Sequence, residues 1–268
     1  MAASNSFFSG HIRDLYLRSQ QNNYLTHTGF LSLSEQAELS DVIKDLGQNE
    51  GLVIRDSEYV LFGGFDMAER RIACFLPSYL SKEDFLTNQD TSDSALLTCL
   101  VIKPVNARFS DQLTHRDHLG ALMNLGLERD RIGDIICSED HAIASVLTVS
   151  ADLIENELTR VKHTTVTCSR IPFSQCDIRP TLKECHINIA SERADAIIGA
   201  VFHLSRTLSQ DLIKSGMVSV NGREITDSGT FLKAGDRVSV RSRGKFIYEG
   251  SGGLTRKGRT SATVSLYV

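Results

Sequence analysis

At 268 residues, with 41% hydrophobic and 23% charged side chains, the chain has room for two or three modest domains, each with its own core. Residues 1–10 carry neither a basic region nor an apolar run, and no window approaches bilayer-spanning length; a secretory leader and a membrane protein are not expected, and the sequence reads as cytoplasmic. The formal charge of −4 is unevenly divided: residues 1–191 hold 17 Lys+Arg against 26 Asp+Glu, and residues 192–268 hold 12 against 7.

Residues 1–90 read as an N-terminal mixed α/β domain. Ile12, Leu15 and Tyr16 share one side of a helix over 7–21, and a second helix starts after Ser34 and runs to Gly47 with Leu39, Val42, Ile43 and Leu46 inward. Short strands follow at 51–55, 58–62 and 71–76. Gly63-Gly64 has no lysine and helix behind it, so it reads as a tight turn and not a phosphate loop. The polar run 88–94 is the candidate linker.

Residues 91–170 give the clearest topology. Strands at 95–103, 134–137, 142–149 and 163–169 alternate with helices opened by Thr114, with Asp117 three residues on, and by Ser150. Strand, helix, strand, strand, helix, strand is a ferredoxin-like unit. Its strands carry no Phe, Tyr or Trp, so base stacking on this sheet is not expected.

His115-Arg116-Asp117 supports several chemistries. A kinase catalytic loop needs an Asn five residues beyond the Asp, whereas Asn124 lies seven beyond, and no Asp-Phe-Gly follows. A metal site on His115 and His118 lacks a third ligand. An RNA-modifying enzyme of the pseudouridine synthase kind, with Asp117 as nucleophile, is the alternative reading, although Arg116-Asp117 lacks the intervening Leu of that motif. The remaining options are an RNA-phosphate contact by His115 and Arg116 at a helix N-terminus, or a simple helix cap. Cys74, Cys99 and Cys137 sit in apolar runs as buried thiols; Cys168, Cys176, Cys185 and His186 are too widely spaced for a zinc knuckle, and disulfides are not expected.

Residues 171–190 read as a linker, and 191–268 as a compact basic module. Ala194, Ile197, Ile198 and Val201 stripe one helix; Ser205 caps a second, which places Arg206, Thr207, Gln210 and Lys214 on one side. Gly216 suits a helix end, and Asn221-Gly222 is a strong hairpin signal. In the strand 237–243, Val238 and Val240 point inward and the arginines outward. Arg193, Arg206, Thr207, Gln210, Lys214, Arg223, Arg237, Arg241, Arg243 and Lys245 are the expected RNA contacts, forming one continuous cationic surface, with His115 and Arg116 as a second contact. Residues 249–259 read as a flexible basic tail, and 264–268 as an edge strand.

The pattern Arg193-x-Asp195, Ser205-Arg206, Ile213-x-x-Gly216-x-Val218-x-Val220-Asn221-Gly222 and Gly235-Asp236-x-Val238-x-Val240 resembles an S4 RNA-binding domain. Together with Phe62-Gly63-Gly64, Glu69-Arg70-Arg71, Leu113-x-His115-Arg116-Asp117-x-Leu119-Gly120 and Ile132-Gly133-Asp134-Ile135, the chain resembles the YlmH family of bacterial S4 proteins. That resemblance implies a non-enzymatic factor of ribosome-associated quality control that binds the large ribosomal subunit through 23S rRNA, with stalled peptidyl-tRNA as a further contact. The expected fold is α+β: an N-terminal α+β domain (1–90), a ferredoxin-like domain (91–170), a linker (171–190) and an S4 domain with its tail (191–268). A monomer is expected, with no catalytic residue, metal or cofactor.

Overall fold

The structure, a computed structural model, describes residues 2–65, 67–89, 95–176, 181–254 and 260–267. It is mixed helix and strand, and it divides into two compact units, Met1–Arg179 and Pro180–Val268.

The first unit begins with α1 (Ala2–Asn22), β1 (Thr26–His27), α2 (Leu33–Asn49), β2 (Tyr59–Phe62), β3 (Ile72–Phe75) and α3 (Lys82–Asn88). The strands form an antiparallel sheet in the order β1-β3-β2. Ile12 and Tyr16 of α1 and Leu39, Val42 and Leu46 of α2 bury against Phe75. Helix α2 starts two residues earlier than its sequence suggests. Ser32, not Ser34, accepts from the Glu35 N–H at 3.3 Å, and the Glu35 carboxylate accepts from the Ser32 N–H at 2.7 Å. Gly47 lies inside the helix, and Gly51 (φ +68°) takes the left-handed turn instead. The expected strand 51–55 is absent: Val53 is 62% exposed, and the segment runs into a 3-10 turn at Asp56–Glu58.

There follow β4 (Leu97–Pro104), α4 (His115–Met123), β5 (Ile132–Cys137), β6 (Ala142–Leu147), α5 (Ala151–Glu157), β7 (Arg160–Val161) and β8 (Thr164–Ile171). Their sheet has the order β5-β6-β4-β8-β7 and is antiparallel throughout. The first four strands have the ferredoxin-like arrangement read from the sequence. Leu122 of α4 and Ile154 of α5 pack with Leu100, Ile102, Ile132 and Val146 on one face. The short strand β7, turned by Lys162 (φ 52°), is an addition that no Asn-Gly signal marks.

Residues that carry the family resemblance join these two sheets. Asp134 of β5 accepts from the Glu69 N–H at 2.6 Å and the Arg70 N–H at 3.3 Å. The Arg70 guanidinium donates to the carbonyls of Phe30 (2.7 Å) and Ile132 (3.2 Å). Gly133 leaves room for the Phe30 ring, which would lie 2.6 Å from a Cβ there. Burial pushes the Asp134 carboxyl up despite the two amides, and burial followed by the Arg70 charge pulls the neighbouring Arg129 down to about 10.

The second unit contains β9 (Leu182–Ile189), α6 (Ala194–Phe202), α7 (Arg206–Lys214), β10 (Val218–Val220), β11 (Arg223–Glu224), β12 (Asp236–Val240), β13 (Gly244–Leu254) and β14 (Thr260–Tyr267). Its antiparallel sheet has the order β11-β10-β12-β13-β14-β9. Two expectations change here. The stretch read as a linker supplies β9, an edge strand paired with β14 from Leu182↔Tyr267 to Ile189↔Thr260. That makes β14 internal, as its buried Ala262 and Val264 require. Of the segment read as a flexible tail, 249–254 extends β13 through irregularities around Gly250 (φ +121°), whereas 255–259 lie outside the described residues. Val218, Val238, Val240, Phe246, Tyr248, Ala262 and Val264 form the inner face, against Ala194, Ile197 and Ile198 of α6.

Candidate nucleic-acid interface

The site is built where α7 lies against α6. His203 (φ 54°) ends α6 in the left-handed conformation, and the Ser205 hydroxyl starts α7 by accepting from the Leu208 N–H at 3.2 Å. A Cβ on Gly199 would lie only 3.1 Å from the buried Ser209 hydroxyl, so glycine sets how closely the helices approach. This leaves Asp195, in the first turn of α6, within reach of Arg206 and Gln210 of α7.

At their junction Asp195 is 1% exposed. Its carboxylate accepts two hydrogen bonds from the Arg193 guanidinium, both 3.1 Å, and one from the Gln210 amide at 2.8 Å. Arg206 Nε lies 3.7 Å away. Burial works to raise the Asp195 carboxyl, but the Gln210 and Arg193 hydrogen bonds and the two guanidinium charges outweigh it and hold the group below its ordinary value. The carboxylate therefore stays ionised and orients three of the residues read as RNA contacts. Arg193 is largely tied down, donating also to the Ser228 carbonyl at 3.5 Å, whereas the Arg206 side chain is 74% exposed. Sequence reasoning treated Asp195 only as part of a pattern; the signal for its role was the Arg-x-Asp spacing at a helix start.

A second group gathers at the other end of α7. Lys214 is exposed in its last turn, and Gly216 (φ +70°) ends the helix. The turn between β12 and β13 folds alongside: the Arg241 N–H donates to the Met217 carbonyl at 2.8 Å, and Gly244 approaches the Phe202 ring. Lys214, Arg241 and Arg243 are all exposed, and among the described residues none of the three is in an ion pair; the Arg241 guanidinium reaches the Met217 sulfur at 3.8 Å. Thr207 is exposed in the first turn of α7.

The remaining candidates do not complete one surface. Val238 and Val240 face α6, so Arg237 of β12 lies on the opposite face of the sheet; Lys245, paired with Ser239, lies there too. Arg223 follows the Asn221-Gly222 turn (φ 49° and 80°) at the β10–β11 edge. The expected continuous surface is thus divided: the Asp195-centred cluster and Lys214 lie with the helices, and Arg237 and Lys245 lie on the opposite face of the sheet.

His115 and Arg116 are exposed in the first turn of α4, in the other unit. Asp117 accepts from the Thr114 N–H (2.8 Å), the Thr114 hydroxyl (2.7 Å) and the Lys162 ammonium (2.8 Å). The Lys162 contact first, and Thr114 second, hold it far below the usual carboxylate range. It is a helix-capping, ion-paired group. His118 is buried, which depresses its pKa. Among the described residues no three His, Cys, Asp or Glu side chains gather into a metal site, and no helix is long and apolar enough to cross a membrane.

Two family models match the chain: one described as a putative RNA-binding domain in YlmH, over residues 98–175, and an S4 domain, over 192–238. The ribosome-associated protein quality control protein P2 of Bacillus subtilis (strain 168) is 31% identical over 248 residues, spanning 91% of this chain and 88% of that protein. The solved structure of the cell division protein ylmH from Streptococcus pneumoniae is 21% identical, covers 66% of this chain and 92% of that one, and has a TM-score of 0.43.

Proposed function

The chain belongs to the YlmH family of S4-domain proteins, and we propose that it is a non-catalytic RNA-binding factor of ribosome-associated quality control. On this reading it docks on the large ribosomal subunit through 23S rRNA, with stalled peptidyl-tRNA as an additional contact. The observation that carries the proposal is the Asp195-anchored Arg206 and Gln210, in the same unit as exposed Lys214, Arg241 and Arg243, on the basic end of an acidic chain.

The mechanism is electrostatic docking. Each cation that meets a phosphate releases condensed counterions, so affinity falls steeply with salt. Anchoring by a buried carboxylate limits the side-chain entropy lost when Arg206 and Gln210 meet the RNA. Lys214, Arg241 and Arg243 add contacts that position the module without reading sequence. Helix-capping Asp117, ion-paired to Lys162, supports the absence of nucleophilic chemistry there.

The test is the Arg206→Ala, Lys214→Ala double variant, assayed for binding to purified large subunits over a salt series. Loss of two phosphate contacts should weaken binding and flatten the log–log salt slope by about 1.5 to 2. Wild-type affinity with an unchanged slope would remove the proposal.

A further inference from the structure

We infer that Phe231 is a stacking platform for an unpaired nucleobase of the bound RNA. The inference rests on the RNA-binding reading and deepens it by naming what this part of the surface grips.

Phe231 is 66% exposed, although its backbone is held on both sides. The Ala194 N–H donates to the Thr230 carbonyl at 2.8 Å, and the Leu232 N–H donates to the Glu192 carbonyl at 3.0 Å. These bonds frame an antiparallel bridge between Arg193 and Phe231. Leu232 is 2% exposed and belongs to the core, so alternation along the extended chain sends Phe231 outward. Residues directly opposed in an antiparallel pair project from the same face. The ring therefore stands beside Arg193, whose guanidinium is committed to Asp195, and Asp195 in turn holds Gln210 and approaches Arg206. Among the described residues no aromatic ring or cation is stacked on Phe231.

A solitary exposed aromatic is ordinary on a protein surface. This one differs in being rigidly mounted beside the anchored guanidinium cluster. A ligand that pairs a flat apolar face with a phosphate within reach of Arg206 suits the arrangement, and a nucleotide is such a ligand. The base must be unpaired, because a duplex keeps its π-faces internally stacked. Phenylalanine has no hydrogen-bonding group, so the contact favours single-stranded loops without selecting a particular base.

The chain contains no tryptophan, so Phe231→Trp would install a unique fluorophore at the ring position. The probes are an RNA hairpin with a single-stranded purine loop and a fully paired duplex with the same stem. Trp emission should be quenched by the hairpin and barely changed by the duplex. Phe231→Ala should bind the hairpin about ten- to a hundredfold more weakly with an unchanged salt slope, and Phe231→Tyr should bind as wild type. Circular dichroism on each variant confirms the fold. If the hairpin leaves the emission unchanged and Phe231→Ala binds like wild type while Arg206→Ala still weakens binding, stacking is wrong and electrostatic docking stands. If the wild-type chain binds neither RNA at low salt, both proposals fail.

Discussion

Asp195→Asn separates a pre-organised site from a merely basic one. The substitution keeps the size of the side chain and removes the charge that orients Arg193, Arg206 and Gln210. Removing one partner of a fully buried ion pair costs roughly 3–5 kcal/mol. Here Arg193 is 32% exposed and Arg206 74%, so water recovers part of that loss, and about 2 kcal/mol is expected. For a unit of this size, Pro180–Val268, that corresponds to a fall of roughly 8–16 °C in its thermal midpoint. Calorimetry on the full chain, with the transition assigned by hydrogen exchange, measures it. Because the folded-state pKa of Asp195 lies below its ordinary value, its contribution is complete above the unfolded carboxylate range and disappears as pH falls through the folded value. The gap between wild type and variant should be flat near neutrality and close in acid. RNA binding gives the sharper contrast. Net charge alone predicts that the variant, one unit more positive, binds more tightly; orientation by Asp195 predicts weaker binding. Tighter binding with an unshifted midpoint would refute the anchoring argument.

Asp134 should behave in the opposite sense with pH: its raised pKa means that its ionisation opposes folding as pH rises from the ordinary carboxylate range through the folded value. Asp134→Asn, which still offers an acceptor to the Glu69 and Arg70 amides, should remove that slope in denaturant titrations, whereas Asp134→Ala should lose about 1–3 kcal/mol. Gly133→Ala should destabilise the first unit by about 1–3 kcal/mol, since a Cβ would meet the Phe30 ring at 2.6 Å; an unshifted melting curve would show that the seam is loosely packed. Asp117→Ala should lower the melting temperature of the first unit through loss of the Thr114 cap and the Lys162 pair, and should leave the pseudouridine content of bulk ribosomal and transfer RNA unchanged. A fall in pseudouridine would revive the enzymatic reading.

The parts of the fold that could be read from sequence are those with strong local signals. The βαββαβ order followed from apolar runs such as Leu97–Pro104 and from the Thr114 and Asp117 cap. The β10–β11 turn followed from Asn221-Gly222, both at positive φ. Strand β9 was missed because Pro180 precedes it and because Lys183 and Glu184 break up the alternation, which settles only at Ile187 and Ile189. The division of the cationic residues between two faces was illegible for a more general reason. Alternation correctly placed Arg237 outward, and helical spacing correctly placed Arg206 and Lys214 outward. Outward from the sheet and outward from α7 are opposite sides of one module, and neither local period carries that information. The Asp195 cluster joins residues fifteen positions apart across two helices, so only their packing reveals it. The Glu69-Arg70-Arg71 and Gly133-Asp134 stretches carry the family resemblance, and their side chains and amides build a packing seam that no local period announces.

The most direct measurement is co-sedimentation of the full chain with purified large ribosomal subunits, with and without retained peptidyl-tRNA, across a salt series. Docking by the helical side predicts saturable binding that weakens steeply with salt. It also predicts that binding is lost when Arg206, Gln210 and Lys214 are replaced together by Ala, and is kept when Arg237 and Lys245 are replaced. Binding that survives the first set, or that is abolished by the second set alone, would contradict it.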